Sequence, residues 1–410
     1  MARESVILRD MKREKYIEKL TKWIESPRRK PLILEGARQV GKTWLMQEFA
    51  KSQFQNVVSL RFDRDTLLKN IFDRDFDVNR IVRDLETRFH TQIDAKNTIL
   101  LFDEIQACKN ALTSLKYFCE DRPDLPIIAA GSLLGLEYRN GEPEVGRSDA
   151  QTTGFPVGKV NLMSIHPMSF LEFLVAVGDE RLATSIEQMD WKTLKVFGDA
   201  LADRLRHYYV VGGMPEAVAA YVQTGRLADA REIHRDILSG YGRDVSKHAP
   251  KSEVRKIEMC WQSIPVHLAK ENKRFSYSAI RKGARAAEFR DPLAWLEDAG
   301  LISFVRRAKV PNLPLDAYAD SAFKVYMLDI GLLATRAGLA PEVVLEGSRI
   351  FKEFKGALTE QYVFQQLKAE TDIVPYYWST DDSRTEVDFV FQGGMRVCPL
   401  EVKAERNVHS

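Results

Sequence analysis

Eight residues constrain this chain more than any other stretch: Gly36-Ala37-Arg38-Gln39-Val40-Gly41-Lys42-Thr43. An apolar run, Pro31-Leu32-Ile33-Leu34, precedes them, and a helical pattern, Trp44-Leu45-Met46-Gln47-Glu48-Phe49, follows. Strand, glycine loop and helix with the spacing GxxxxGKT form a phosphate-binding loop. The glycines let the backbone turn so that successive N–H groups point inward at phosphate oxygens. The helix starting at Gly41 adds the positive end of its dipole. Lys42 is placed to reach the β- and γ-phosphates of a nucleotide and Thr43 to ligate Mg²⁺. The bland alternative is a glycine turn that happens to carry Lys-Thr, and the flanking strand and helix argue against it.

The same sheet continues downstream. Val57-Val58-Ser59-Leu60-Arg61-Phe62 alternates as a strand, and a polar helical stretch runs on to about residue 93. Thr98-Ile99-Leu100-Leu101-Phe102-Asp103-Glu104 is a buried parallel strand with two acids at its tip. In open α/β sheets that tip is where ligands bind. Asp103 is placed to hold Mg²⁺ through water and Glu104 to polarise an attacking water. Adjacent residues suit this pair of tasks because their side chains leave a strand in different directions. The intervening strand at 57–62 points to the P-loop branch with an extra strand and a catalytic glutamate. Pro126-Ile127-Ile128-Ala129-Ala130-Gly131-Ser132 ends in a small polar residue. Ser132 fits either a sensor of the γ-phosphate or a simple cap. Residues 138–154 read as a loop and 157–162 as a fifth strand.

The remainder reads as α-helical and then mixed. Residues 8–24 form a basic amphipathic helix, with Arg28-Arg29-Lys30 in a solvated loop after it. A helical lid occupies 164–250, broken by Gly212-Gly213-Met214-Pro215. From 251 to 345, helices at 253–269, 278–283 and 292–299 precede a hairpin, 301–305 with 323–327. That is a winged helix-turn-helix, a fold that meets DNA or protein; Arg281, Lys282, Arg285 and Arg290 are its candidate phosphate contacts. The tail, 346–410, holds a helix at 354–368 with Glu360, then strands carrying Asp388 and Glu401-Val402-Lys403. Glu401 and Lys403 face one side. Two carboxylates for Mg²⁺ with a lysine to orient water form a nuclease-like constellation, against the alternative of a charged edge strand. Net charge is only +2, so any nucleic-acid contact is a local patch. Four scattered cysteines, none in a CxxC pair, read as free thiols in a reducing compartment. With no apolar stretch of ~18–20 residues and a polar N-terminus, the expected location is the cytoplasm, with no membrane insertion.

Taken together, Gly36–Thr43, Leu100–Glu104 and Gly131-Ser132 resemble the bacterial and archaeal AAA-type ATPases related to the regulatory STAND group. So do Pro156–Val160, Pro167–Leu174 and Gly212–Glu216. Ser263–Pro265, Phe275–Tyr277, Trp295–Ile302 and Phe323–Asp329 are similar to the domain of unknown function that follows the ATPase in that family. The resemblance implies ATP and Mg²⁺ as ligands, Pro215 against adenine, and a possible homo-oligomer. From the residues alone Pro215 is equally a helix–helix turn. The absence of an NKxD motif agrees with adenine. The tail resembles the PD-(D/E)xK nuclease fold at Glu360, Asp388, Glu401 and Lys403. That fold normally continues with a helix and strand, whereas this sequence ends at Ser410, seven residues past Lys403. The tail is therefore expected to be truncated and inactive, its open sheet face disordered or packed on the winged helix or a second protomer. No arginine finger is assigned; Arg139, Arg147 and Arg204 are candidates by position, and catalysis in trans is what the resemblance implies.

The expected architecture is thus an α/β P-loop NTPase core at 1–163 with a parallel sheet, a helical lid, a winged helix-turn-helix and a small α+β nuclease-like tail. The expected function is an ATP-driven switch whose winged helix meets DNA or a protein partner. An ATP-gated nuclease and an ATP-dependent assembly protein without nucleic-acid contact are the alternatives.

Overall fold

The computed structural model describes residues 13–136, 155–269, 274–346, 352–382 and 384–404. They gather in two compact units, one spanning Arg13–Ile165 and the other built from the residues after it.

The first unit runs α1 (Glu14–Glu25), β1 (Leu32–Glu35), α2 (Lys42–Gln53), β2 (Asn56–Arg61), α3 (Thr66–Arg74), α4 (Val78–Phe89), β3 (Thr98–Asp103), α5 (Lys109–Asp121), β4 (Ile127–Ala130) and β5 (Asn161–Ser164). Asp65 and Asp77 cap α3 and α4, each accepting from two backbone N–H groups. The strands form one parallel sheet in the order β2-β3-β4-β1-β5. All of β3 is buried, as a parallel strand covered on both faces requires. Phe62, Phe72, Phe102 and Phe118 pack edge-to-face on one side of it. The strand between β1 and β3 in space is β4; β2, which intervenes in sequence, lies at the sheet edge beside β3. Because every pairing is parallel, β1, β3 and β4 deliver Gly36, Asp103-Glu104 and Gly131-Ser132 to the same sheet edge.

The fifth strand is displaced from its expected position at 157–162. Val157 is 81% exposed and Gly158 has φ +73°, so this stretch turns instead of pairing. Pairing begins at Asn161, whose N–H donates to the Pro31 carbonyl at 2.9 Å and whose Oδ1 accepts from Lys30 N at 3.0 Å. The expected loop at 138–154 lies outside the described residues, as do residues 8–12 of the first helix.

The second unit begins with α6 (Phe170–Ala176), α7 (Glu180–Glu187), α8 (Trp191–Val196), α9 (Gly198–Val211), α10 (Pro215–Thr224), α11 (Leu227–His248), α12 (Val254–Leu268) and α13 (Ala286–Asp298). Then follow β6 (Ile302–Ala308), β7 (Ala319–Met327), α14 (Ile330–Arg336), α15 (Pro341–Glu346), α16 (Lys352–Glu370), β8 (Tyr376–Ser379), β9 (Glu386–Gly393) and β10 (Arg396–Leu400). Ser169 and Glu172 form a reciprocal capping box at α6. Gly300, at φ +72°, ends α13 as a left-handed residue after the helix.

Two expectations for this unit change. The helix read at 278–283 is a single 3₁₀ turn, Tyr277–Ala279, and Gly283 at φ +80° stops any extension. The hairpin of β6 and β7 is no free wing. One parallel bridge, Arg307 to Tyr377, joins β6 to β8 and gives a five-stranded sheet, β10-β9-β8-β6-β7. The hairpin and the tail, read as separate domains, therefore share a sheet. Its inner face is covered by α16: Tyr326 stacks on Phe364 at 4.5 Å, with Phe389 alongside.

Candidate functional site

The glycine loop is held by its neighbours. Gly36 sits at φ +136°, and a Cβ there would lie 2.3 Å from the Ile165 carbonyl oxygen, so no other residue fits. Gly41, at φ +92°, turns the chain into α2. Arg13, which sequence reasoning passed over, is buried and donates from Nη1 to the Val40 carbonyl at 2.8 Å. Ala37 and Val40 face inward, Arg38 is half-buried and Gln39 is exposed at φ +66°.

Lys42 is buried, and its Nζ donates to the loop's own carbonyls, Gly36 at 2.8 Å and Ala37 at 2.6 Å. Burial pulls its ammonium down to about 8; Glu104 and Asp103 oppose that, and Arg38 adds to it. Thr43 Oγ1 donates to Asp103 Oδ1 at 3.0 Å. Asp103 is pushed above the usual carboxylate range by burial, helped by the charge of Glu104 and opposed by Thr43 and Arg61. A hydroxyl and a carboxylate oxygen meeting at the loop are hard donors that suit Mg²⁺.

Glu104 follows β3 with φ +52°, a conformation uncommon outside glycine. Its Oε2 accepts from Gln106 Nε2 at 2.5 Å and from Ser132 Oγ at 3.4 Å. Arg38 Nε donates to the same Ser132 hydroxyl at 3.0 Å. The structure thus brings Lys42, Thr43, Asp103, Glu104 and Ser132 together. It adds Arg38 as a side-chain participant, and Gln106 and Arg61, which were not anticipated. Arg61 stands opposite Asp103 in the β2–β3 register, its Nε 3.8 Å from Oδ2. The signal for Arg61 was its position at the end of β2; for Gln106 it was polarity two residues after Glu104.

Pro215 is buried at the first position of α10, in the second unit. The glycines before it have a structural reason. A Cβ on Gly212 would meet Asp329 Oδ1 at 2.2 Å, and one on Gly213 would meet the Met168 carbonyl at 2.0 Å. Gly213 N donates to Asp329 Oδ2 at 2.6 Å, where Gln365 also donates, and Asp329 caps α14 through Leu332 N. Of the arginine candidates, Arg204 is engaged by Asp179 at 2.5 Å, while Arg139 and Arg147 lie outside the described residues.

The tail residues divide into two groups. Glu360 is buried on α16 and accepts from Lys324 Nζ at 3.0 Å and from the Tyr326 hydroxyl. Lys324 also reaches Glu386 at 2.5 Å and Asp388 at 3.8 Å. Glu401 and Lys403, just past β10, pair with each other at 2.7 Å in the open, while Asp388 accepts from Val402 N at 2.8 Å. Asp388 thus faces the buried ammonium of Lys324 on one side and the Val402 N–H on the other. Among the described residues, no three His, Cys, Asp or Glu side chains come together in a metal-holding arrangement. Of the basic stretches, Arg281 is paired with Glu288, Arg29 donates to the Asp124 carbonyl and Lys30 to that of Gly158.

Residues 28–174 match the family model described as an AAA domain. The chain carries an AAA-type P-loop ATPase domain. After this AAA domain, residues 202–343 match a domain of unknown function (DUF8612) and residues 355–410 another (DUF4143). An uncharacterized protein of Methanocaldococcus jannaschii is 22% identical over 278 residues, 64% of this chain. The chain spans about half the length of that relative, 53%. Among solved structures, a Walker-type ATPase of Pyrococcus abyssi aligns over 80% of this chain and 95% of its own, at 16% identity and TM-score 0.49. The ORC1 protein of Aeropyrum pernix, solved with DNA, aligns over 84% and 93%, at 12% identity and TM-score 0.29. Among the described residues no helix is long and apolar enough to cross a membrane.

Proposed function

We propose that this chain binds ATP at the Gly36–Thr43 loop and hydrolyses it, using the cycle to switch the second unit between states toward a partner. The observation that carries this reading is the meeting of Thr43 and Asp103 at 3.0 Å beside buried Lys42. Backbone N–H groups of the loop hold the phosphates, and Lys42 exchanges its two carbonyl partners for phosphate oxygens. Thr43 directly and Asp103 through water would hold Mg²⁺, which when bound neutralises charge on the phosphates. Glu104 orients water and accepts its proton as the water oxygen bonds to the γ-phosphorus and the bond to ADP breaks. Ser132 hydrogen-bonds the γ-phosphate or that water. Pro215 against adenine follows from the family resemblance alone.

The test is equilibrium binding and turnover in the full chain. Lys42→Ala is expected to lose nucleotide binding, and Glu104→Gln to bind ATP with Mg²⁺ but not turn it over. Undiminished binding by Lys42→Ala would make the phosphate assignment wrong.

For the partner, the exposure of Met189, Trp191, Val196 and Phe197, close together in sequence, favours protein over DNA. The carboxylates of the tail are read as a structural ion cluster around Lys324, not as a nuclease centre.

A further inference from the structure

Gln106 belongs to neither the glycine loop nor the acid pair, yet it makes the shortest contact to Glu104, 2.5 Å from Nε2 to Oε2. The same Nε2 lies 3.5 Å from Ser132 Oγ. Among the described residues its buried amide oxygen has no hydrogen-bond partner, so the side chain is held through its N–H donors. The orientation is forced, because a flipped amide would turn its oxygen against a carboxylate. Gly131 makes the room: a Cβ there would stand 2.6 Å from the Gln106 amide oxygen. Among the described residues both hydrogen bonds to the Glu104 carboxylate fall on Oε2, which leaves Oε1 to take a proton from water.

We infer that Gln106 is a positioning residue for hydrolysis: it ties Oε2 of Glu104 toward Ser132 and so aims Oε1 at the attacking water. The inference rests on the ATPase reading above. Misplacing a catalytic group by about 1 Å costs on the order of 10²-fold, so loss of the tether acts on kcat and not on ATP binding.

The experiment measures kcat, KM and binding of a non-hydrolysable ATP analogue for the full chain and four variants. Gln106→Glu keeps the size and removes the donor; Gln106→Leu removes both ends; Gln106→Asn keeps a donor on a shorter arm; Glu104→Gln is the control. The Glu and Leu variants are expected to lose roughly 10–100-fold in kcat at unchanged KM and analogue affinity, and Asn is expected to recover part of that loss. Parental or raised kcat in Gln106→Glu, a change carried by KM, or no recovery in Gln106→Asn overturns the positioning role. If Glu104→Gln itself turns over at the parental rate, the assignment of Glu104 fails instead. Melting curves of the variants check the fold, and a Gln106→Glu chain that melts like the parent yet keeps full kcat refutes the inference.

Discussion

Replacing Lys324 with methionine would test what holds the second unit together. The ammonium is fully buried on β7, 3.0 Å from Glu360, 2.5 Å from Glu386 and 3.8 Å from Asp388. Burial alone would lower its pKa, but Glu360, Glu386 and Asp388 outweigh that and raise it. Methionine keeps most of the aliphatic volume and removes the charge, which leaves the buried Glu360 beside two further carboxylates. Breaking a buried pair by removing one partner costs about 3–5 kcal/mol. At about 2–4 °C per kcal/mol for 150–250 residues, the melting temperature falls by roughly 6–20 °C. The pH dependence separates this from a packing defect. In the parent, a raised lysine pKa means that its contribution is complete below about 10.4, the unfolded value, and is lost only as pH climbs through the folded value. In the variant, burial without the ammonium favours the neutral form of Glu360, so the fold takes up a proton more readily than the unfolded chain and stability rises as pH falls. Thermal unfolding of the full chain at about pH 8 and about pH 5 reads both effects, with the gap to the parent narrower at the lower pH. Parental melting at the higher pH, or a gap that widens at the lower, would refute the account of Lys324 as the counter-ion of this cluster.

The remaining predictions concern the second unit. Gly213→Ala places a methyl group 2.0 Å from the Met168 carbonyl, a backbone atom that cannot rotate away. Overpacking of this kind costs about 1–3 kcal/mol or more, and a urea midpoint equal to the parent's would show that the glycine is dispensable. In a gel shift on duplex DNA with and without ATP, no salt-sensitive band is expected. A shift that weakens steeply with salt would move the partner from protein to DNA, because phosphate contacts release counterions.

What the sequence made legible was contiguous. The glycine loop, the Asp103-Glu104 tip and Ser132 are each read from a few adjacent residues, and parallel pairing alone carries them to one edge. Elements that depend on distant partners were not legible. Gly212 and Gly213 read as a turn, with no hint that Asp329, more than a hundred positions later, needs their space. Glu360 reads as a nuclease-like carboxylate, while its partner Lys324 sits in a strand that reads as a wing, and nothing periodic announces a single bridge between Arg307 and Tyr377. The helix expected at 278–283 failed for a local reason, a left-handed Gly283, which composition underweighted.

The bridge between β6 and β8 also sets an order of events during synthesis. When residue 346 leaves the ribosome, β6 and β7 can pair, but one edge of β6 is bare and Lys324 has neither Glu360 nor Asp388. At ~5–20 residues per second, several seconds pass before β8 and β9 arrive. For that interval the hairpin is an open strand edge with a buried-type lysine in water, a template for pairing with another chain. The late strands thus act as a clasp: the second unit cannot close until they are made, and a ribosome that stalls between α15 and β8 leaves a species built to associate.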